Sequence, residues 1–211
     1  MLDLAFLKIL GIPLTWWLWW HVRDPKLAWW LPVGLQLSLA LVAEPLALWL
    51  MFKDLPNHTI YNLYMILEFG ALSWLVMNVP RPSKQGRTLA KGGALLFLIS
   101  LIWQISASEL NVFFHTSLMV GGSLLAFQAI LALHRLAEEQ PVNWRSPELW
   151  ILASMVLYFL SATPVLAAVM YFTGSDLSLA LFLLDLNDGL FVARYALVAL
   201  GLAMTRISTP P

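Results

Sequence analysis

Cysteine is absent from the 211 residues, so disulfides, thiolate metal sites and cysteine nucleophiles are all excluded. Charge is scarce too. Lys and Arg number 12, Asp and Glu 12, and together they make up 11% of the chain with zero net charge, where an ordinary globular domain has about a quarter. That balance excludes a nucleic-acid binder and a polybasic membrane-surface protein. Long polar segments are also missing, so no loop has room for a soluble catalytic module. What is plentiful is apolar: 60% of the residues are hydrophobic, with 11 Trp and 11 Phe. This excludes a disordered chain and points to an all-α integral membrane protein.

A helix needs roughly 20 apolar residues to cross about 30 Å of hydrocarbon. Seven stretches qualify as spans, at 4–20, 27–51, 58–79, 91–107, 110–133, 148–173 and 177–204. The expectation is a single domain, 1–211, of seven transmembrane helices. The leading segment has Asp3 and only one Lys, Lys8, and no small-residue cleavage site follows the apolar run, so it is expected to stay as a helix rather than act as a signal peptide.

Basic residues set the orientation, because Lys and Arg concentrate on the cytoplasmic side. Arg23, Lys26, Arg81, Lys84, Arg87, Lys91, Arg135, Arg145 and Arg206 fall on one side, Lys8 and Lys53 on the other, and Arg194 lies inside the last span. This predicts the N-terminus outside and the C-terminus cytoplasmic. Trp16, Trp17, Trp19, Trp20, Trp29 and Trp30 flank the first cytoplasmic loop, and Trp144 and Trp150 the third. Indoles favour that interfacial level.

A weak internal repeat is visible. Ala43-Glu44-Pro45 in span 2 parallels Ala162-Thr163-Pro164 in span 6, and each leads to an outer-end aromatic, Phe52 or Phe172. The next span then carries an acid: Glu68 lies 23 residues past Pro45, and Asp185 and Asp188 lie 21 and 24 past Pro164. Spans 1–3 and 5–7 would then be parallel repeats joined by span 4, a 3+1+3 layout seen in some sugar transporters and sorting receptors.

Ionisable groups at membrane depth cost about 2.5–3.5 kcal/mol each on insertion scales, so they tend to face the bundle interior and to carry function. Glu44, Glu68, Asp185 and Asp188 are such acids, with Arg194 deeper and His115 near the outer end of span 5. Asn62 and Tyr64 accompany Glu68, and Asn187 accompanies Arg194 at a seven-residue spacing that keeps both near one helix face. Four acids face one Arg. Three unmatched negative charges in a low dielectric are prohibitive, so proton uptake, water or a bound cation must meet the excess. The candidate ligand-binding set is therefore Glu44, Asn62, Tyr64, Glu68, His115, Asp185, Asn187, Asp188 and Arg194.

Other chemistries lack their residues. The last span has no Lys for a retinal Schiff base. The four histidines, His21, His58, His115 and His134, lie on different helices or loops, which disfavours a zinc hydrolase and a bis-histidine haem. No catalytic residue, metal ligand or cofactor is assigned. Gly92-Gly93 and Gly121-Gly122 are read as sites of close helix packing.

Several short motifs are familiar in order: Asn62-Leu63-Tyr64 with Glu68-Phe69, then Pro147-Glu148-Leu149-Trp150-Ile151 leading to Leu157-Tyr158-Phe159, and finally Leu186-Asn187. The chain resembles an uncharacterised family of small polytopic bacterial inner-membrane proteins of about this length. Leu149-Trp150 stands where that family usually has an aromatic pair. The resemblance implies a bacterial inner-membrane location and no particular activity.

The leading functional expectation is a transporter or receptor with an outward-opening carboxylate pocket for a small polar or cationic solute. Pro45 and Pro164 would be its bending points, and a sensor of this kind would need a membrane protein partner. The alternatives are a non-catalytic scaffold or subunit, and an intramembrane lipid-modifying enzyme using an acid–base carboxylate pair.

Overall fold

The computed structural model describes residues 4–22, 27–79, 81, 83–107, 112–139 and 143–208. They form seven α-helices and, among the described residues, no strand: α1 (Leu4–His21), α2 (Trp30–Phe52), α3 (His58–Asn78), α4 (Lys84–Ala107), α5 (His115–Glu139), α6 (Pro147–Thr173) and α7 (Leu177–Ser208). Six of these, α2 to α7, are long and apolar enough to cross a membrane. Helix boundaries and apolar stretches differ where a helix leaves hydrocarbon. Thus α4 begins at Lys84, about two turns before its apolar stretch, and α5 runs to Glu139 through His134, Arg135 and Glu138. Hydropathy marks what lipid tolerates, whereas the backbone bonds of a helix continue into the headgroup layer.

Helix order in space follows order in sequence. Helix α1 contacts α2 and α7, α2 contacts α3, α3 contacts α5, α5 contacts α6, and α6 contacts α7. Six helices therefore close a ring, and α4 packs outside it against α3 and α5. Among the described residues no backbone contact joins α2 or α3 to α6 or α7. The middle of the ring is left to side chains and to open space.

The outside of the bundle is apolar. Leu95, Leu96, Leu98, Ile99, Ile102 and Trp103 of α4 are all exposed, and so are Leu181, Phe182 and Leu186 of α7. Patches of this extent are stable against lipid and not against water. Tight contacts inside depend on small residues. A Cβ on Gly34 would run into the Trp19 indole, and one on Gly201 would come within 3.0 Å of the Pro147 carbonyl and 3.2 Å of Trp150 Cβ. Trp19 stacks on Trp30 at 4.7 Å between centroids and donates to the Trp30 carbonyl at 2.8 Å.

Two polar side chains tie helix ends together. Arg135 of α5 donates to Ser83 Oγ and to the carbonyls of Val76 and Val79, which occupies acceptors that the end of α3 cannot satisfy itself. At the other end of the bundle, Asn62 of α3 accepts from Phe114 N at 2.8 Å and donates to the Val112 carbonyl at 2.9 Å. This fixes the approach to α5.

Candidate functional site

A cavity of about 670 Å³ lies inside the ring, lined by α2, α3, α5, α6, α7 and the segment just before α5. Its upper rim carries Met51 and His58, both exposed, where α2 ends and α3 begins. Its walls are mostly aliphatic and aromatic, with Tyr158, Phe159 and Phe191 prominent. This mixture of apolar wall and a few polar groups, at this volume, is typical of small-molecule sites.

Three carboxylates line the cavity: Glu44 from α2, Glu68 from α3 and Asp188 from α7. Among the described residues no Lys or Arg lines it. Glu68 is buried at the floor, where three donors converge on its Oε1. Arg194 Nη2 lies at 2.9 Å, Tyr64 Oη at 2.6 Å and Gln36 Nε2 at 3.1 Å. Gln36 also donates to Tyr195 Oη at 2.9 Å. The floor is thus a bonded network linking α2, α3 and α7.

Arg194 is 2% exposed and sits beneath the cavity rather than in its wall. Its Cζ is 4.9 Å from the Tyr158 ring centroid and 5.0 Å from that of Phe159, in range for cation–π attraction. Its Nη1 has no hydrogen-bond partner. The ion pair is largely committed to the protein itself, so Glu68 contributes less free negative charge to the cavity than its formal charge suggests.

Higher up, Tyr61 donates to Glu44 Oε2 at 3.3 Å. Asn187 lines the same space, and its buried Oδ1 has no hydrogen-bond partner. Thr163 of α6 faces the cavity while donating to the Phe159 carbonyl at 2.7 Å. Glu44 and Thr163 each precede the proline of their helix, and both prolines are exposed on the outer side.

The sequence-selected residues therefore divide. Glu44, Tyr64, Glu68, Asn187 and Asp188 meet at the cavity, with Arg194 below them. Asp185 is separated from this set and exposed. Residues three apart on a helix differ by about 60° around its axis, and on α7 that angle spans the edge between cavity and exterior. Asn62 serves the α5 approach. His115 is half-buried at the start of α5, 3.2 Å from the Phe113 carbonyl, and is not among the lining residues.

Residues outside that selection also matter: Gln36, Tyr61, Tyr158, Thr163 and Tyr195. Gln36 carried a readable signal, an amide in an otherwise apolar stretch, which a search for ionisable groups passes over. Among the described residues no group of three His, Asp or Glu side chains is placed to hold a metal ion.

No protein-family model, curated protein or solved structure matches the chain.

Proposed function

We propose that this protein is a multi-pass membrane carrier or receptor that admits a small organic cation into the cavity from the outer face. The carrying observation is the meeting of Glu44, Glu68 and Asp188, from three helices, at one largely apolar cavity that no Lys or Arg lines among the described residues. Three carboxyl groups gathered on one apolar wall favour a positively charged guest over a neutral or anionic one, and the Arg194–Glu68 pair lies beneath them.

In this reading all seven helices cross the bilayer, with the N-terminus outside and the C-terminus in the cytoplasm of a bacterial inner membrane. The distribution of basic residues supports the orientation. With that orientation, the rim at Met51 and His58 faces outside, and Arg135 with its carbonyl contacts lies on the cytoplasmic side. The 3+1+3 repeat fits the contact order, with α4 outside and three helices on each side of the ring. It also equates Glu44 with Thr163, each on the cavity wall one residue before a proline.

The test uses purified protein in detergent and two probes of similar size, 2-phenylethylamine and the neutral 2-phenylethanol. The amine is expected to raise the melting temperature by mass action on the folded state, and the alcohol to leave it unchanged. Glu44→Gln and Asp188→Asn should each weaken the amine's effect. Equal responses to amine and alcohol, or no response to the amine, would overturn the cation reading.

A further inference from the structure

We infer that the cation is one that donates hydrogen bonds, a protonated primary or secondary amine carrying an apolar body, rather than a quaternary ammonium. The inference rests on the cation reading above and deepens it. It comes from where the cavity's hydroxyl protons go.

Four hydroxyl side chains line the cavity: Tyr61, Tyr64, Tyr158 and Thr163. Three of them spend their single proton on the protein. Tyr61 donates to Glu44, Tyr64 to Glu68 and Thr163 to the Phe159 carbonyl. A hydroxyl has one proton and two lone pairs, so each of these oxygens can face the cavity only as an acceptor. Asn187 adds an amide oxygen that is buried and has no partner. Glu44 and Asp188 add carboxylate oxygens, which when ionised only accept. Acceptors thus come from α2, α3, α6 and α7 and outnumber the side-chain donors of the lining, which are the Tyr158 hydroxyl, the Asn187 amide nitrogen, and Asn57 and His58 toward the rim.

A trimethylammonium group brings positive charge to this wall and leaves the neutral oxygens without donors. A buried acceptor left without a donor is destabilising. An ammonium with two or three N–H groups meets charge and acceptors together. Its hydrocarbon part then lies against Tyr158, Phe159 and Phe191. A bare metal ion meets the charge, but the wall lacks the three-residue carboxylate or histidine cluster that would hold it among the described residues.

The experiment compares 2-phenylethylamine with its N,N,N-trimethyl analogue on the full chain in detergent, reading the half-saturating concentration for thermal stabilisation. The amine is expected to bind about tenfold or more tightly than the analogue, the factor that corresponds to one donor–acceptor pair. Asn187→Leu should shrink that ratio by weakening the amine and sparing the analogue. If Asn187→Leu fails to fold, Thr163→Val removes a second acceptor and carries the same expectation. Equal binding of both probes to the wild type overturns the donor requirement while leaving the cation site standing. A preference that survives both substitutions unchanged overturns the assignment to these oxygens. Binding of neither probe sinks the cation site and this inference with it.

Discussion

The floor network makes a prediction that turns on asymmetry. Arg194→Met removes the guanidinium but leaves Glu68 Oε1 with two donors, Tyr64 at 2.6 Å and Gln36 at 3.1 Å. Glu68→Leu leaves the guanidinium with no carboxylate, and its Nη1 already lacks a hydrogen-bond partner. Its remaining contacts are chiefly with the rings of Tyr158, Phe159 and Tyr195. Breaking a buried ion pair from one side costs about 3–5 kcal/mol. A hydrogen bond to a charged group is worth about 1.5–3 kcal/mol, so the donors retained by Glu68 should offset part of that cost in Arg194→Met and nothing in Glu68→Leu. The loss in Glu68→Leu should therefore exceed that in Arg194→Met by at least the worth of one such bond, about 1.5–3 kcal/mol. At about 2–4 °C per kcal/mol for a chain of this size, the two melting temperatures should differ by several degrees. The double variant should recover much of the Glu68→Leu loss, because two apolar residues replace an ion pair with little net cost. Thermal melts of the four proteins in one detergent measure all of this. A larger loss in Arg194→Met, or a double variant as poor as the sum of the singles, would refute the reasoning.

Other predictions follow from local geometry. Gly34→Ala puts a methyl into the Trp19 indole and should lower stability by about 1–3 kcal/mol, the usual cost of overpacking, with Trp19→Leu restoring part of it in a melting assay. Arg135→Met strips donors from the Val76 and Val79 carbonyls and should lose about 1–3 kcal/mol, read the same way, with no change in the amine concentration that half-saturates stabilisation. Asn62→Ala should likewise lower the melting temperature without changing probe preference, since its bonds go to Val112 and Phe114. Asp185→Asn should leave amine binding unaltered, because that side chain lies outside the cavity; a loss equal to that of Asp188→Asn would contradict the assignment of the two acids to different faces.

Much of the architecture is legible in hydropathy alone, since a long apolar stretch in this composition has few alternatives to a helix. The apolar runs locate all seven helices, and the errors are at ends such as Lys84 and Glu139, where charged residues continue a helix beyond its apolar part. The pairing of Glu68 with Arg194 could be suspected, because they are the deepest opposite charges in the chain. Its consequence could not. Only geometry shows Gln36 and Tyr64 converging on the same carboxylate oxygen, which reduces the surplus charge that the sequence alone assigns to the interior. Periodicity likewise groups Asp185 with Asp188, yet the boundary of a cavity depends on where α2 and α6 stand relative to α7. Asn62 and His115 illustrate the same limit. Polar residues near a helix end serve turns as readily as ligands, and their partners here, Val112, Phe114 and Phe113, are loop backbone.

The absence of cysteine makes one measurement direct. Leu166 lies on the cavity wall, so Leu166→Cys gives a single thiol that membrane-impermeant methanethiosulfonates can reach from outside intact cells. A charge 4 Å away contributes about 4 kcal/mol at the effective dielectric near a protein surface, and about 1.4 kcal/mol already makes a tenfold difference. The account predicts that a cationic reagent modifies this thiol about tenfold or more faster than an anionic one of equal size, that 2-phenylethylamine protects it, and that Glu44→Gln with Asp188→Asn removes the preference. A thiol that reacts with neither reagent, or with both at the same rate, would contradict the claim that carboxylates gather around a wet, outward-facing cavity.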